Sequence, residues 1–404
     1  MERLLDQPKT SLWTGPYVSL LCSNLVVFVG FQMLVPTLAA YIRQLNGTNL
    51  SAGLALTAVA GAALVSRSVF GMVIDRIGRK PVLLAGAVVL LVTNLLLYVV
   101  PSILAICAIR FVQGLGWGMI TTALATIVSD LVPEQRMGEG IGYLAVSNVL
   151  ATSISIIVGI WLMNLFGFVV MLGFSTACFV VALVLCLRTG VVPFHRNDRA
   201  VPARNLWSAL FEKRAVLPSF LCFLHSVAFS GIMTFIMLFG TESGIRHIFV
   251  YFIGHVLAIM VSRPFVGRVY DRIGHSVIIV PGVLSMIIGL VLLSHSHAVP
   301  LLVVASVFYG LGFGAVQPSL QAWAINRSPF DRKGAANGTF LCSIDLGYGI
   351  GGVLMGSVAS LTSYAVMYGL SPLFLVLLLA IYVTALMQQK STGGPGMRRS
   401  QPAP

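Results

Sequence analysis

The sequence predicts an all-α, polytopic membrane protein, with twelve transmembrane helices in two pseudo-symmetric six-helix bundles. Three observations carry this expectation. Of the 404 residues, 57% are hydrophobic and only 9% are charged, whereas a soluble domain needs about 25% charged residues to cover its surface. Uncharged apolar runs of roughly 18 residues or more recur along the chain, each long enough to cross about 30 Å of hydrocarbon. Third, the chain is written twice. Val65-Ser66-Arg67, then Gly71, then Asp75-Arg76-Ile77-Gly78 returns as Val261-Ser262-Arg263, Gly267 and Asp271-Arg272-Ile273-Gly274. Gly114-Leu115-Gly116-Trp117-Gly118 returns as Gly310-Leu311-Gly312-Phe313-Gly314, and Pro133, Arg136 and Gly138 return as Pro329, Arg332 and Gly334. One offset of 196 residues, as from Val65 to Val261, relates them all. Six spans per copy brings both copies into the bilayer from the same side, a parallel repeat about an axis along the membrane normal.

In chain order, residues 1–15 form a short polar leader. The first apolar run is too long for the core of a cleavable signal peptide and has no small-residue cleavage site behind it. Spans 1 to 6 are expected over about 16–40, 50–70, 81–100, 103–127, 139–163 and 166–187. The charged run Gly71–Lys80 reads as the loop between spans 2 and 3. Residues 188–215 read as a basic linker, with Arg188, Arg196, Arg199, Arg204, Lys213 and Arg214. Spans 7 to 12 follow over about 217–239, 247–266, 277–294, 299–322, 335–360 and 364–387. The domain division is then 1–187, the linker 188–215, 216–389, and a Gly- and Pro-rich tail 390–404 expected to be disordered.

Net charge is +13, and its placement argues against nucleic acid. Of the 25 Lys and Arg, 20 fall on the side of the two termini, only Arg43 and Arg246 on the other, and Arg67, Arg110 and Arg263 within spans. That bias puts both termini in the cytoplasm and lets the basic residues meet anionic lipid headgroups. The six cysteines all lie in apolar runs without a CxxC pair, so neither a disulfide framework nor a zinc site is indicated. No phosphate-cradling loop and no nucleophile–base set stands out, so ATP, cofactors, metals and enzymatic chemistry are not expected.

The candidate functional residues are the polar ones inside apolar spans. Arg110 lies about 12 Å deep in span 4, and intramembrane charges face a cavity or a partner. Its partner is either Asp345 from across the cavity or an anionic group on a solute. Asp345 lies about 15 Å inside span 11 and reads either as a proton carrier or as a structural pair with Arg67. Glu139 and Arg263 carry the same ambiguity. Asn24, Phe28 and Gln32 share one face of span 1 by their i, i+4, i+8 spacing. Gln113, Asn148, Gln317 and Gln321 add neutral polar groups that suit either a cavity or interhelical hydrogen bonds. His225 and His255 can carry protons or simply be hydrogen-bonded. The glycine runs of spans 4, 10 and 11 read as packing surfaces.

With these residues in view, the chain resembles the major facilitator superfamily over essentially its whole length. Gly71, Asp75, Arg76, Gly78, Arg79 and Lys80 match that family's signature between spans 2 and 3; Gly267, Asp271, Arg272 and Gly274 match its weaker copy. Arg110, Gln113 and Gly114 match a second feature in span 4. The resemblance implies alternating access around a midplane site, a gating latch at Asp75, Arg76, Arg79 and Lys80 with Asp271 and Arg272, and a monomer in a bacterial plasma membrane. It is similar to the drug and metabolite efflux branch, which implies proton-coupled export of a drug-like solute, a sugar or a carboxylate-bearing metabolite such as an opine-type metallophore. Span 5 departs from the pattern of drug–proton antiporters, since 147–155 hold no proline, and span 1 holds no acid. Uptake symport, uniport and a non-transporting sensor or scaffold stay open as alternatives.

Overall fold

A computed structural model describes residues 12–100, 102–132, 137–188, 212–329 and 332–391. The leader up to Ser11, most of the linker (189–211) and the tail from Thr392 lie outside the described residues. Span 1 is built from α1 (Gly15–Gln32) and α2 (Leu34–Gln44). Spans 2 to 6 are α3 (Asn49–Ile77), α4 (Arg79–Leu96), α5 (Ile103–Leu131), α6 (Met137–Phe166) and α7 (Phe168–Arg188). After one 3-10 turn, Lys213–Ala215, spans 7 to 11 are α8 (Val216–Glu242), α9 (Val250–Ile273), α10 (Ser276–Ser294), α11 (Val299–Asn326) and α12 (Lys333–Leu361). Span 12 is α13 (Tyr364–Leu370) and α14 (Pro372–Ser391). Among the described residues, ten helical stretches are long and apolar enough to cross a membrane by themselves; the shorter apolar stretches Leu150–Phe166 and Val250–Arg263 belong to the other two spans.

Prolines account for the two broken spans. Pro36 has no N–H to give the carbonyl of Gln32 one turn back, so the ladder is interrupted at Met33. Pro372 takes the first position of α14, where a missing N–H costs nothing.

The expected loop at Gly71–Lys80 is a different object. Helix α3 continues through Ile77, and the turn is Gly78 alone, at φ 94° and ψ 164°. The second copy ends the same way, α9 running to Ile273 and Gly274 turning at φ 97°. A helix that leaves the bilayer no longer needs apolar side chains, and glycine supplies the positive φ that stops it. The side chains of Asp75, Arg76, Asp271 and Arg272 lie outside the described residues. Beside them, the Arg79 Nε meets Asp130 Oδ2 at 2.6 Å, and the Lys80 ammonium donates to the Leu187 carbonyl at 3.3 Å.

The repeat recurs in the packing. A Cβ on Gly114 would stand 2.4 Å from the Val59 carbonyl oxygen, and one on Gly310 2.5 Å from that of His255. Gly118 faces Ser66, and Gly314 faces Ser262, at similarly short range. Both partners shift by the same offset, so spans 2 and 4 and spans 8 and 10 are copies of one close helix contact.

The two halves meet where α3 packs on α12, α6 on α9 and α2 on α8. The α3–α12 seam is described in most detail. Toward the end away from the chain termini, Tyr364 donates to Asn49 Oδ1 at 2.6 Å, and Thr57 donates to the Gly349 carbonyl at 2.5 Å. Between them Gly53 and Gly352 touch backbone to backbone: a Cβ on Gly53 would lie 2.1 Å from the Gly352 oxygen. Gly53→Val should therefore hold this seam apart. A thiol at position 56 (Leu56→Cys, in a background without the native cysteines) should then label faster from that face than in the glycine parent. Equal labelling would show that the seam tolerates the side chain.

Near the other end, Glu212 anchors the start of span 7. Its carboxylate accepts from the Arg214 N–H at 3.1 Å and pairs with the Arg332 guanidinium. These contacts, the backbone bond foremost, hold the carboxyl below its usual range. Its own N–H donates to Thr339 Oγ1 at 3.1 Å, tying the linker end to span 11.

Candidate functional site

Arg110 sits on α5, one side-chain length from the seam between the halves. It is 1% exposed, and Gln113, one turn on, is fully buried. The Arg110 Nη1 donates to Gln113 Oε1 at 2.6 Å, and the guanidinium carbon lies 5.4 Å from the centre of the Phe31 ring. Phe31 in turn stacks on Trp117 at 3.9 Å, and Phe28 meets the same indole edge-on at 4.6 Å. This apolar shelf fixes the guanidinium plane. The Arg110 Nε and the Gln113 amide nitrogen have no hydrogen-bond partner among the described residues.

A small pocket opens on this group. It is lined by Arg110, by Val35 and Leu38 of α2, by Ala52 and Ala55 of α3, and by Thr234 of α8. Thr234 belongs to the second half of the chain, so the pocket lies where the halves meet. Its hydroxyl is buried and has no hydrogen-bond partner among the described residues. The pocket encloses only about 10 Å³, room for about one water in this conformation, and it sets a fixed positive charge and further hydrogen-bonding groups behind apolar walls.

Asp345 does not serve Arg110. It pairs with the guanidinium of Arg67, from α12 to α3, across the seam. The two side chains keep 13% and 21% exposure, against 1% for Arg110, so the pair is the more exposed of the two charged positions. Asn24 and Asn148, both expected around a cavity, are joined to each other: the Asn24 amide donates to Asn148 Oδ1 at 2.6 Å, linking spans 1 and 5. Gln321 donates to Asn337 Oδ1 at 2.8 Å, linking spans 10 and 11. Gln32 and Gln317 are half-buried. Arg263 is half-buried on α9, and the side chain of Glu139 lies outside the described residues. His225 and His255 are both buried in the second half, and among the described residues no carboxylate acts on either. Thr234 was not foreseen. A lone threonine in an apolar helix gives no signal in sequence.

Comparison with known proteins decides the family. The profile of the Major Facilitator Superfamily matches residues 20–293 and 248–403. The chain belongs to the major facilitator superfamily. It is therefore a multi-pass membrane protein and a secondary transporter rather than an enzyme, of a family that binds small-molecule substrates. It is 26% identical to the multidrug resistance protein MdtG of Serratia proteamaculans over 88% of each chain. It is 24% identical to the staphylopine export protein of Staphylococcus aureus, over 87% of this chain and 91% of that one. Among solved structures, a variant of the nucleoside transporter NupG superposes with a TM-score of 0.78 at 16% identity, over 92% of this chain and 99% of that chain. That last likeness is one of fold alone.

Proposed function

We propose that this superfamily member exports a small organic solute bearing a carboxylate, driven by entry of protons, with both termini in the cytoplasm. The observation that carries the reading is Arg110: a fully buried guanidinium whose described partner is the neutral Gln113, in a pocket shared by both halves. A buried charge without a counter-charge is costly, and an anionic group on the solute would neutralise it. The export direction draws support from MdtG and the staphylopine exporter, which are named for efflux. The orientation rests on the 20-to-2 division of basic residues across the membrane. Alternating access follows from the repeat, with the Arg67–Asp345 pair fastening the α3–α12 seam in one state and releasing it in the other. The proximal residues Arg79 and Lys80, already bonded to neighbouring helices, would belong to the same latch.

The test is a comparison of solutes released by a pump-depleted host with and without the protein. Carboxylate-bearing metabolites should be enriched in the medium, and a protonophore should abolish the enrichment. Enrichment restricted to neutral or cationic solutes would overturn the anion reading; export indifferent to the protonophore would overturn the coupling.

A further inference from the structure

The second half buries a polar cluster that the Arg110 pocket does not use. His225 of α8 and His255 of α9 flank one ring, Phe313 of α11, at 5.0 Å and 5.3 Å. Tyr309 of α11 lies 5.8 Å from His255, and Tyr251 of α9 lies 6.1 Å from it. His225 is 1% exposed and His255 4%, and both tyrosines are fully buried. Both ring nitrogens of His225, Nδ1 of His255 and both tyrosine hydroxyls have no hydrogen-bond partner among the described residues. An ordinary core histidine or tyrosine keeps at least one bond, because an unmade one costs stability. Five buried groups left open to a water or a proton thus lie in one cluster.

The repeat shows what the cluster replaces. By the offset of 196, Tyr309 stands where the first half has Gln113, His255 where it has Val59, Tyr251 where it has Ala55, and His225 where it has Val29. Ser306 stands in place of Arg110. One half carries a permanent cation at this level, and the other carries titratable rings. The titratable groups facing the pair are Tyr251 on α9, Tyr309 on α11 and, across the Phe229 ring, Tyr348 on α12. No carboxylate or permanent cation among the described residues acts on either imidazole, and His225 is the one charged neighbour felt by His255. The carboxylate of α12, Asp345, is held by Arg67.

We infer that His225 and His255 form the binding site of the coupling proton, one proton per pair, with the hydroxyls of Tyr251 and Tyr309 completing its hydrogen bonds. This rests on the proton-coupled reading above. An imidazole lone pair takes the proton from water on one face of the membrane, forming one N–H bond. The same bond breaks to water on the other face once the halves have rocked, so no other reactant is needed. By the repeat, an imidazolium formed here would lie at about the depth of Arg110, in the other half of the chain. Its charge would add to the pull on an anion in one state and vanish in the other, which makes solute affinity depend on the proton.

The full chain, labelled at histidine Cε1 with carbon-13 and held in lipid nanodiscs, tests this by NMR between pH 5 and 9. His225 and His255 should titrate as one coupled unit. His225→Gln should move the midpoint of His255 by about one unit or more, and Tyr309→Phe, which keeps the ring, should also move it. Two rings that titrate independently, or that never protonate in this range, would overturn the assignment. In the host assay, His225→Gln and His255→Gln should each lower protonophore-sensitive export about tenfold; undiminished export would overturn it as well. Protonophore-insensitive export by the unsubstituted protein would instead sink the coupling reading, and the NMR arm reports on the pair in either case.

Discussion

Arg110→Ala should abolish transport while leaving expression, membrane insertion and thermal stability near those of the unsubstituted protein. Truncating one partner of a desolvated, hydrogen-bonded charge interaction costs about 2–5 kcal/mol. At 1.4 kcal/mol per factor of ten, that is roughly 30- to 3,000-fold in solute affinity. Arg110→Lys keeps the charge but loses the planar fork, so a bidentate carboxylate would be held less well; a loss of about tenfold is expected. The two variants together separate charge from geometry. Equilibrium binding in detergent and counterflow in proteoliposomes, using whichever carboxylate the export comparison enriches, read both. Near-normal flux in Arg110→Ala would remove the anion site from the account.

Breaking the Arg67–Asp345 pair should have the second large effect. Removing either partner leaves a charge stranded between two helices, at a cost of about 3–5 kcal/mol to the conformation in which they touch. Arg67→Ala and Asp345→Asn should each lower the melting temperature and slow transport. The exchanged pair, Arg67→Asp with Asp345→Arg, should recover a substantial part of both. A double-mutant cycle isolates the coupling between the two residues. Zero coupling would mean that the pair is incidental to the seam.

The fold was legible because the chain repeats itself. A fixed offset relating Val65–Gly78, Gly114–Gly118 and Pro133–Gly138 to their copies requires two like bundles whatever the helix boundaries are. Those boundaries were less legible at Gly71–Ile77, where charge marks an exit from the bilayer and not from the helix. Arg110 was conspicuous, since a guanidinium in an apolar run has few explanations. Its neighbours were not. Whether Asp345 reached Arg110 or Arg67 depended on which helices adjoin, and sequence alone allowed both. The histidine cluster lay half in view. Applying the offset to Gln113 leads directly to Tyr309, but the Val59 and Ala55 positions give no hint that their copies hold His255 and Tyr251. Thr234 was invisible because a threonine hydroxyl normally bonds to its own helix, and only the three-dimensional structure shows that this one does not.

The backbone contact between Gly53 and Gly352 has a pharmacological consequence. At this one contact no side chain stands between the two peptide planes, so a blocker arriving from that direction cannot wedge between them while the seam is shut. It could lodge only during the part of the cycle in which the planes separate. Inhibition from that side would then deepen with the rate of turnover and fade in resting vesicles.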